Sequence, residues 1–341
     1  MDQVNFNQIN FNYSMKNIPL PSKQDFLTQM ISSSDKFIKN LRWRVFFFLY
    51  PSEPRERKET FGFNSTNPAP TGITELKEFE NKMYELTRDI KFKPHNNQFQ
   101  TKLKEDTAKV KSDPKMYIAA DKTTNYYKVD KDEYDELLQK HINKDYKKTG
   151  IEAVKEVTKV DKEIVANLDI EDRVYSTTAK QAFVTLKDHK PNFINNPSCR
   201  LLNPTKNEIR RISQQKLAKI NSEIRSKSNL KQWQNTQSVI DWFGEIENKK
   251  RNSFIQYDVV DFYASITEGL LHDSLDFASN YIHISEEDRR IIMQSKRSFL
   301  FDKNVPWSKK GESNFNVGIG SFDGAETCEL VAYSCSTNSS N

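Results

Sequence analysis

The chain has 341 residues, enough for two or three domains that each bury a core. Its three cysteines, an odd number with no CxxC spacing, exclude a disulfide-stapled miniprotein and a cysteine zinc cluster. Hydrophobic residues make up 36% and charged residues 29%, on the polar side of globular proteins, while 11% aromatics excludes wholesale disorder, and 52 basic against 47 acidic residues leave a formal charge of +5.

Residues 1–20 are Asn-rich and the stretch closes on Pro19 and Pro21, which predicts a flexible leader with little core of its own. From Ser22 the apolar positions Phe26, Leu27, Met30, Ile31, Phe37, Ile38 and Leu41 recur at helical spacing, and Ser22 with Asp25 makes a capping-type start. This helix runs into LRWRVFFFLY, whose apolar run Val45 to Tyr50 is too short to span a bilayer, and then into a Pro-marked irregular segment. The spacing predicts further helices over 73–91, 130–142, 151–167, 206–226, 235–247, 267–280 and 285–297. Strand patterns fall at 116–120, 182–187, 253–260 and 315–319. Separated strands among many helices predict an α+β fold, not a doubly wound parallel sheet. With no bilayer-length apolar run and no basic-then-apolar signal in MDQVNFNQIN, the expectation is an intracellular chain without a membrane partner, nucleus or cytoplasm left open.

Charge is unevenly placed. Between Lys180 and Lys231 there are twelve basic residues and three acidic ones, the electrostatic footprint of a phosphate-backbone or nucleotide partner. A solvated basic helix face reads equally from the same residues.

Three segments could carry chemistry. In FIQYDVVDFYASI (254–266) apolar residues lead into Asp258, followed by Asp261 and Tyr263. A carboxylate at a strand end can hold Mg²⁺, which prefers hard oxygen ligands and substrate phosphates; the commoner use of such an aspartate is to cap the turn that follows. In FVTLKDHKPNFINNPSCRLLNP (183–204), Lys187, Lys190 and Arg200 surround a hairpin-like loop where cations could grip a triphosphate. In VGIGSFDGAETCEL (317–330), Gly318, Gly320 and Gly324 would let backbone approach a ligand closely at the start of a helix.

Taken together and in this order, these blocks resemble the reverse transcriptase of Penelope-like retroelements, a family related to telomerase. NIPLPSKQDFL with FIKNLRWRVFFFL, ADKTTNYYKV and QWQNTQSVIDWF carry the same resemblance, which extends from about residue 17 to 331. It implies right-hand polymerase fingers and a partial palm: a leader at 1–20, an N-terminal helical extension at 21–110, a fingers-like region at 111–250, part of the palm at 251–331 and a polar tail at 332–341. It implies Mg²⁺ as cofactor, with RNA template, DNA primer and deoxynucleoside triphosphates as partners, the oligomeric state being open. By similarity Asp258 is the catalytic, metal-binding aspartate, with the Val259 carbonyl beside it, in two-metal phosphoryl transfer. Lys187 and Arg200 would hold the triphosphate, with Asp261 near it. Tyr263 would abut the sugar and select deoxynucleotides, and Gly320, Asp323 and Gly324 would border the nascent base pair. Trp233 and Trp242 are expected to pack between fingers and palm.

One departure matters. Polymerases of this kind also need two adjacent aspartates on a later hairpin, and no Asp-Asp pair occurs in the chain. The remaining palm and the thumb are expected to be missing, and the chain alone is expected not to catalyse, because one aspartate is a poor cage for two Mg²⁺ ions. The alternatives are a non-enzymatic RNA-binding remnant and an Asp-based metal phosphohydrolase, which would need Glu326 or Glu329 beside Asp258.

Overall fold

A computed structural model describes residues 1–4, 20–51, 61, 63, 67–94, 98–174, 179–205, 207–228, 233, 235–253, 259–311 and 314–338. In chain order the elements are β1 (Asp2–Gln3), α1 (Lys23–Leu49), α2 (Thr74–Asp89), α3 (Gln98–Ser112), β2 (Met116–Ala119), β3 (Tyr126–Val129), α4 (Lys131–Asp145), β4 (Tyr146–Lys148), α5 (Ile151–Asn167), β5 (Phe183–Leu186), β6 (Cys199–Leu202), α6 (Ile209–Lys227), α7 (Thr236–Glu245), α8 (Phe262–Ser265), α9 (Glu268–Ala278), α10 (Glu286–Ser295), β7 (Leu300–Asp302), β8 (Val305–Lys309) and α11 (Gly324–Asn338). Helices with three small sheets make this a mixed α and β chain. It divides into two compact units, the first Met1–His141 with Val184–Leu201, the second Ile142–Phe183 with Leu202–Asn341. Most of the β5–β6 segment belongs with the first unit, although α5, which precedes it in the chain, belongs with the second.

In the first unit, α1 starts where the sequence places it: the Ser22 hydroxyl accepts from the Asp25 N–H at 3.2 Å and so satisfies a free amide of the first turn. The helix continues through VFFFL to Leu49, beyond its amphipathic stretch. Along the seam with α2, Ser34 and Thr87 share a buried hydroxyl contact of 2.9 Å, and Arg42 donates twice to Glu80 at 2.6 Å. Past that seam the face is apolar and open, with Phe48 82% exposed. The helix α3 has no counterpart among the predicted elements, since Leu103 is its one buried apolar side chain. The strands β2 and β3 pair antiparallel, Met116 opposite Val129 and Ala119 opposite Tyr126, and Asp2–Gln3 of the expected leader adds to the free edge of β3.

The core of the second unit is formed by α6, α9, α10 and α11, with Leu217, Ile224, Leu271, Leu275, Ile292, Leu330 and Tyr333 in one buried cluster. Thr267 and Ser285 cap α9 and α10 by accepting from the N–H of Leu270 and Asp288, each at 3.1 Å. Helix α11 runs to Asn338, so residues 332–338 of the expected polar tail are helical, with Tyr333 and Ser334 buried. A hairpin joins β7 to β8 through Lys303 and Asn304, both at positive φ (47° and 65°), the turn that matches the twist of paired strands. Residues 315–319 are not the predicted strand: only Phe315 bridges, to Arg297, and Phe315, Asn316 and Val317 are buried on both sides without a partner strand. The predicted strand at 253–260 falls largely on residues 254–258, outside the described residues; Val259 and Val260 are exposed and not in a strand.

Candidate functional site

The sequence-predicted residues fall in both units and are described unit by unit. Asp258 lies outside the described residues. Lys187 and Arg200 belong to the first unit; Val259, Asp261, Tyr263, Gly320, Asp323 and Gly324 belong to the second.

In the first unit, β5 and β6 pair with each other, and the Lys187 N–H donates to the Ser198 carbonyl at 2.8 Å, which closes the loop between them. The two sequence blocks ADKTTN and LKDHK meet here. Leu186 bridges Ala120 in parallel and accepts from the Asp121 N–H at 2.7 Å. One oxygen of Asp188 then accepts from Thr123 Oγ1 (2.7 Å), Asn125 Nδ2 (2.8 Å) and Tyr127 OH (3.1 Å). Burial pushes the Asp188 carboxyl up, but these three donors outweigh it and hold the group below its ordinary value. Asp121 pairs with Arg200, Nε to Oδ1 at 3.1 Å. Asp121, which pairs with Arg200, and Asp188, which ties the 123–127 stretch to the end of β5, were not singled out in the sequence; their partners lie about sixty to eighty residues away, beyond any local spacing signal. Burial pushes the Cys199 thiol up to about 11, so it is a packing group and not a nucleophile.

In the second unit, Asp261 sits at φ 51° just before α8, exposed, its carbonyl accepting from the Ser265 N–H at 3.0 Å. A left-handed backbone is one that aspartate tolerates better than most residues. Gly320 is also left-handed (φ 87°) and exposed, in the turn before α11. Gly324, the first residue of α11, is buried against Tyr263: a Cβ there would lie 3.0 Å from Tyr263 Cε1, 2.7 Å from Ser321 Oγ and 3.3 Å from the Gly318 carbonyl oxygen. Two segments sixty residues apart thus meet at a position where only a hydrogen fits. Lys309 Nζ, from β8, ties the same place by donating to the Ala264 carbonyl at 2.8 Å.

Asp323 behaves differently from its neighbours. Its carboxylate and the Lys296 ammonium are each 1% exposed and form a buried ion pair, joined by Ser295 Oγ at 2.8 Å. Burial pushes Asp323 up, and Lys296 beside it outweighs this and holds it below the usual range. That carboxylate anchors α11 to α10 and is not presented to solvent. Glu326 and Glu329 are also engaged from α6, Glu326 by Gln214 at 2.9 Å and Glu329 by Arg225 at 2.8 Å.

Along α6 several residues of the basic excess are paired or buried. Lys216 pairs with Asp288, Arg225 with Glu329, Lys227 with Glu223, and Arg210 is buried. Trp233 and Trp242 pack on each other, ring centroids 4.6 Å apart, while α7 buries none of its residues. Among the described residues, no group of three His, Cys, Asp or Glu side chains could hold a metal ion, and no helix is long and apolar enough to cross a membrane. No protein-family model, curated protein or solved structure matches the chain.

Proposed function

We propose that the chain is a reverse-transcriptase-like part of a retroelement polymerase, carrying fingers and the first portion of a palm, and that it binds deoxynucleoside triphosphate and a template–primer duplex. The observation that carries this reading is the contact of Tyr263 with Gly324. A half-buried aromatic ring packed closely on the Gly324 backbone is fixed in place, and a fixed ring suits contact with a sugar. Lys187 and Arg200 supply charge for the triphosphate, Arg200 steadied by Asp121, and charge-assisted bonds to phosphate suit both groups. The same resemblance gives Asp261 and Gly320, both exposed in the second unit, a place beside the nucleotide, and Asp323 fixes the segment that bears Gly324.

Mg²⁺ in this reading is held by Asp258 and the Val259 carbonyl and would neutralise the triphosphate. A single carboxylate is too small a donor set for two ions, and the 341 residues contain no adjacent aspartates. The chain by itself is therefore a binding module without primer extension. Equilibrium titration with a fluorescent deoxynucleoside triphosphate checks this. Lys187→Ala and Arg200→Ala are each expected to weaken binding about tenfold, while an unchanged affinity in both variants contradicts the assignment. Primer extension in Mg²⁺ that disappears in Asp258→Ala would contradict the inactivity.

A further inference from the structure

The second unit holds a cavity of about 200 Å³ that the nucleotide reading does not use. Its walls come from α5, the stretch after β6, the first turn of α6 and the residues leading into β7, and they are mainly apolar, Val154 and Phe299 among them. Two polar groups in the wall keep hydrogen-bonding capacity to spare. Arg210 is 5% exposed, and its Nε donates to the Ser295 carbonyl at 3.0 Å. Among the described residues no carboxylate lies within 4.0 Å of its guanidinium. Asp161 and Asp323 act on it only through space; the Asp161 oxygens accept from Asn207 and Gln294, and Ser295 and Lys296 both reach Oδ2 of Asp323. Ser298 is 8% exposed and its hydroxyl has no hydrogen-bond partner. The remaining polar side chains of the wall are occupied; Asn203, for instance, donates to the Phe299 carbonyl and accepts from the Thr205 N–H.

A buried guanidinium with no anion in contact and a buried hydroxyl without a partner are each costly, and both costs are relieved by one negatively charged acceptor. The surrounding apolar wall requires the rest of that ligand to be hydrocarbon, and a cavity of about 150 Å³ already admits benzene. We propose that this cavity binds a small organic monocarboxylate, its anionic end on Arg210 and Ser298 and its aromatic or branched aliphatic body in the apolar part. The site stands apart from the polymerase reading and does not depend on it.

Isothermal titration of the full chain with sodium benzoate tests the site, with benzyl alcohol and inorganic phosphate as comparators. Benzoate is expected to bind saturably at one site, benzyl alcohol at least about tenfold more weakly, and phosphate not to compete. Ser298→Ala should weaken benzoate about tenfold by removing one bond to a charged acceptor. Val154→Trp, which fills the apolar end, should abolish binding while leaving the cooperative thermal transition in place. The proposal is overturned by absence of saturable benzoate binding up to about 10 mM, by equal affinity for benzyl alcohol, by competition from phosphate, or by undiminished binding in both Ser298→Ala and Val154→Trp.

Discussion

Two regions of the second unit bury a carboxylate to a similar depth and treat it in opposite ways. On the seam of α10 and α11, Asp323 has an ammonium in contact and is held ionised, below its ordinary value. On the seam of α5, α6 and α10, Asp161 has only the amides of Asn207 and Gln294 in contact, at 3.2 and 2.9 Å, and burial pushes it up to about 6. Depth alone therefore does not set the charge state; the contacting group does. The first seam is a fixed anchor for the segment that carries Gly324, and the second is a group that titrates near neutrality.

The largest expected effect breaks the first of these. Asp323→Ala leaves the Lys296 ammonium buried and uncompensated and should lower unfolding free energy by about 3–5 kcal/mol in chemical denaturation. The double variant Asp323→Leu with Lys296→Met removes both charges and should recover most of that loss.

The second region predicts a pH slope. Because the folded state holds the Asp161 proton more tightly than the unfolded chain, the group's contribution is fully present below its unfolded value. It is lost as pH rises toward about 6 and is constant above. Relative to Asp161→Asn, the wild type should lose about 2 kcal/mol of stability between pH 4 and pH 7, read as the difference between the two denaturation curves. Parallel pH profiles would mean that Asp161 is not titrating in this range.

A smaller effect links the anchor to the candidate site. Gly324→Val drives new methyl groups into the Tyr263 ring and the Gly318 carbonyl and should cost about 1–3 kcal/mol, measured by thermal unfolding. It should also weaken nucleotide binding more than an equally destabilising Leu271→Ala in the core, because only the first disturbs the Tyr263 edge.

The strongly periodic parts of the fold were legible in the sequence. The span 151–167 is the helix α5 as predicted, and the Ser22 cap starts α1 where the pattern places it. What failed did so for identifiable reasons. The β7–β8 hairpin turns on Lys303 and Asn304 without the glycine that usually marks such a turn, and its second strand contains Pro306. Residues 315–319 have the apolar character of a strand, but Phe315 and Val317 pack into the helical core and the backbone here bonds to the short 296–298 stretch. On the site side, Tyr263 and Gly324 were singled out separately and come together. Asp323 was expected at a ligand and lies in a buried pair, because sequence shows a residue's type and not the cation that reaches it from α10. Asp121 and Asp188 became visible only once the loop 121–125 was seen folded onto the end of β5.

The polymerase reading turns on whether Tyr263 reads the sugar. Competition binding of a deoxynucleoside triphosphate against the matching ribonucleoside triphosphate, in wild type and in Tyr263→Ala, measures this. The wild type should prefer the deoxynucleotide by at least about tenfold, a difference of about 1.4 kcal/mol, and Tyr263→Ala should bind both alike. Equal affinities in the wild type, or a preference that survives in Tyr263→Ala, would contradict it.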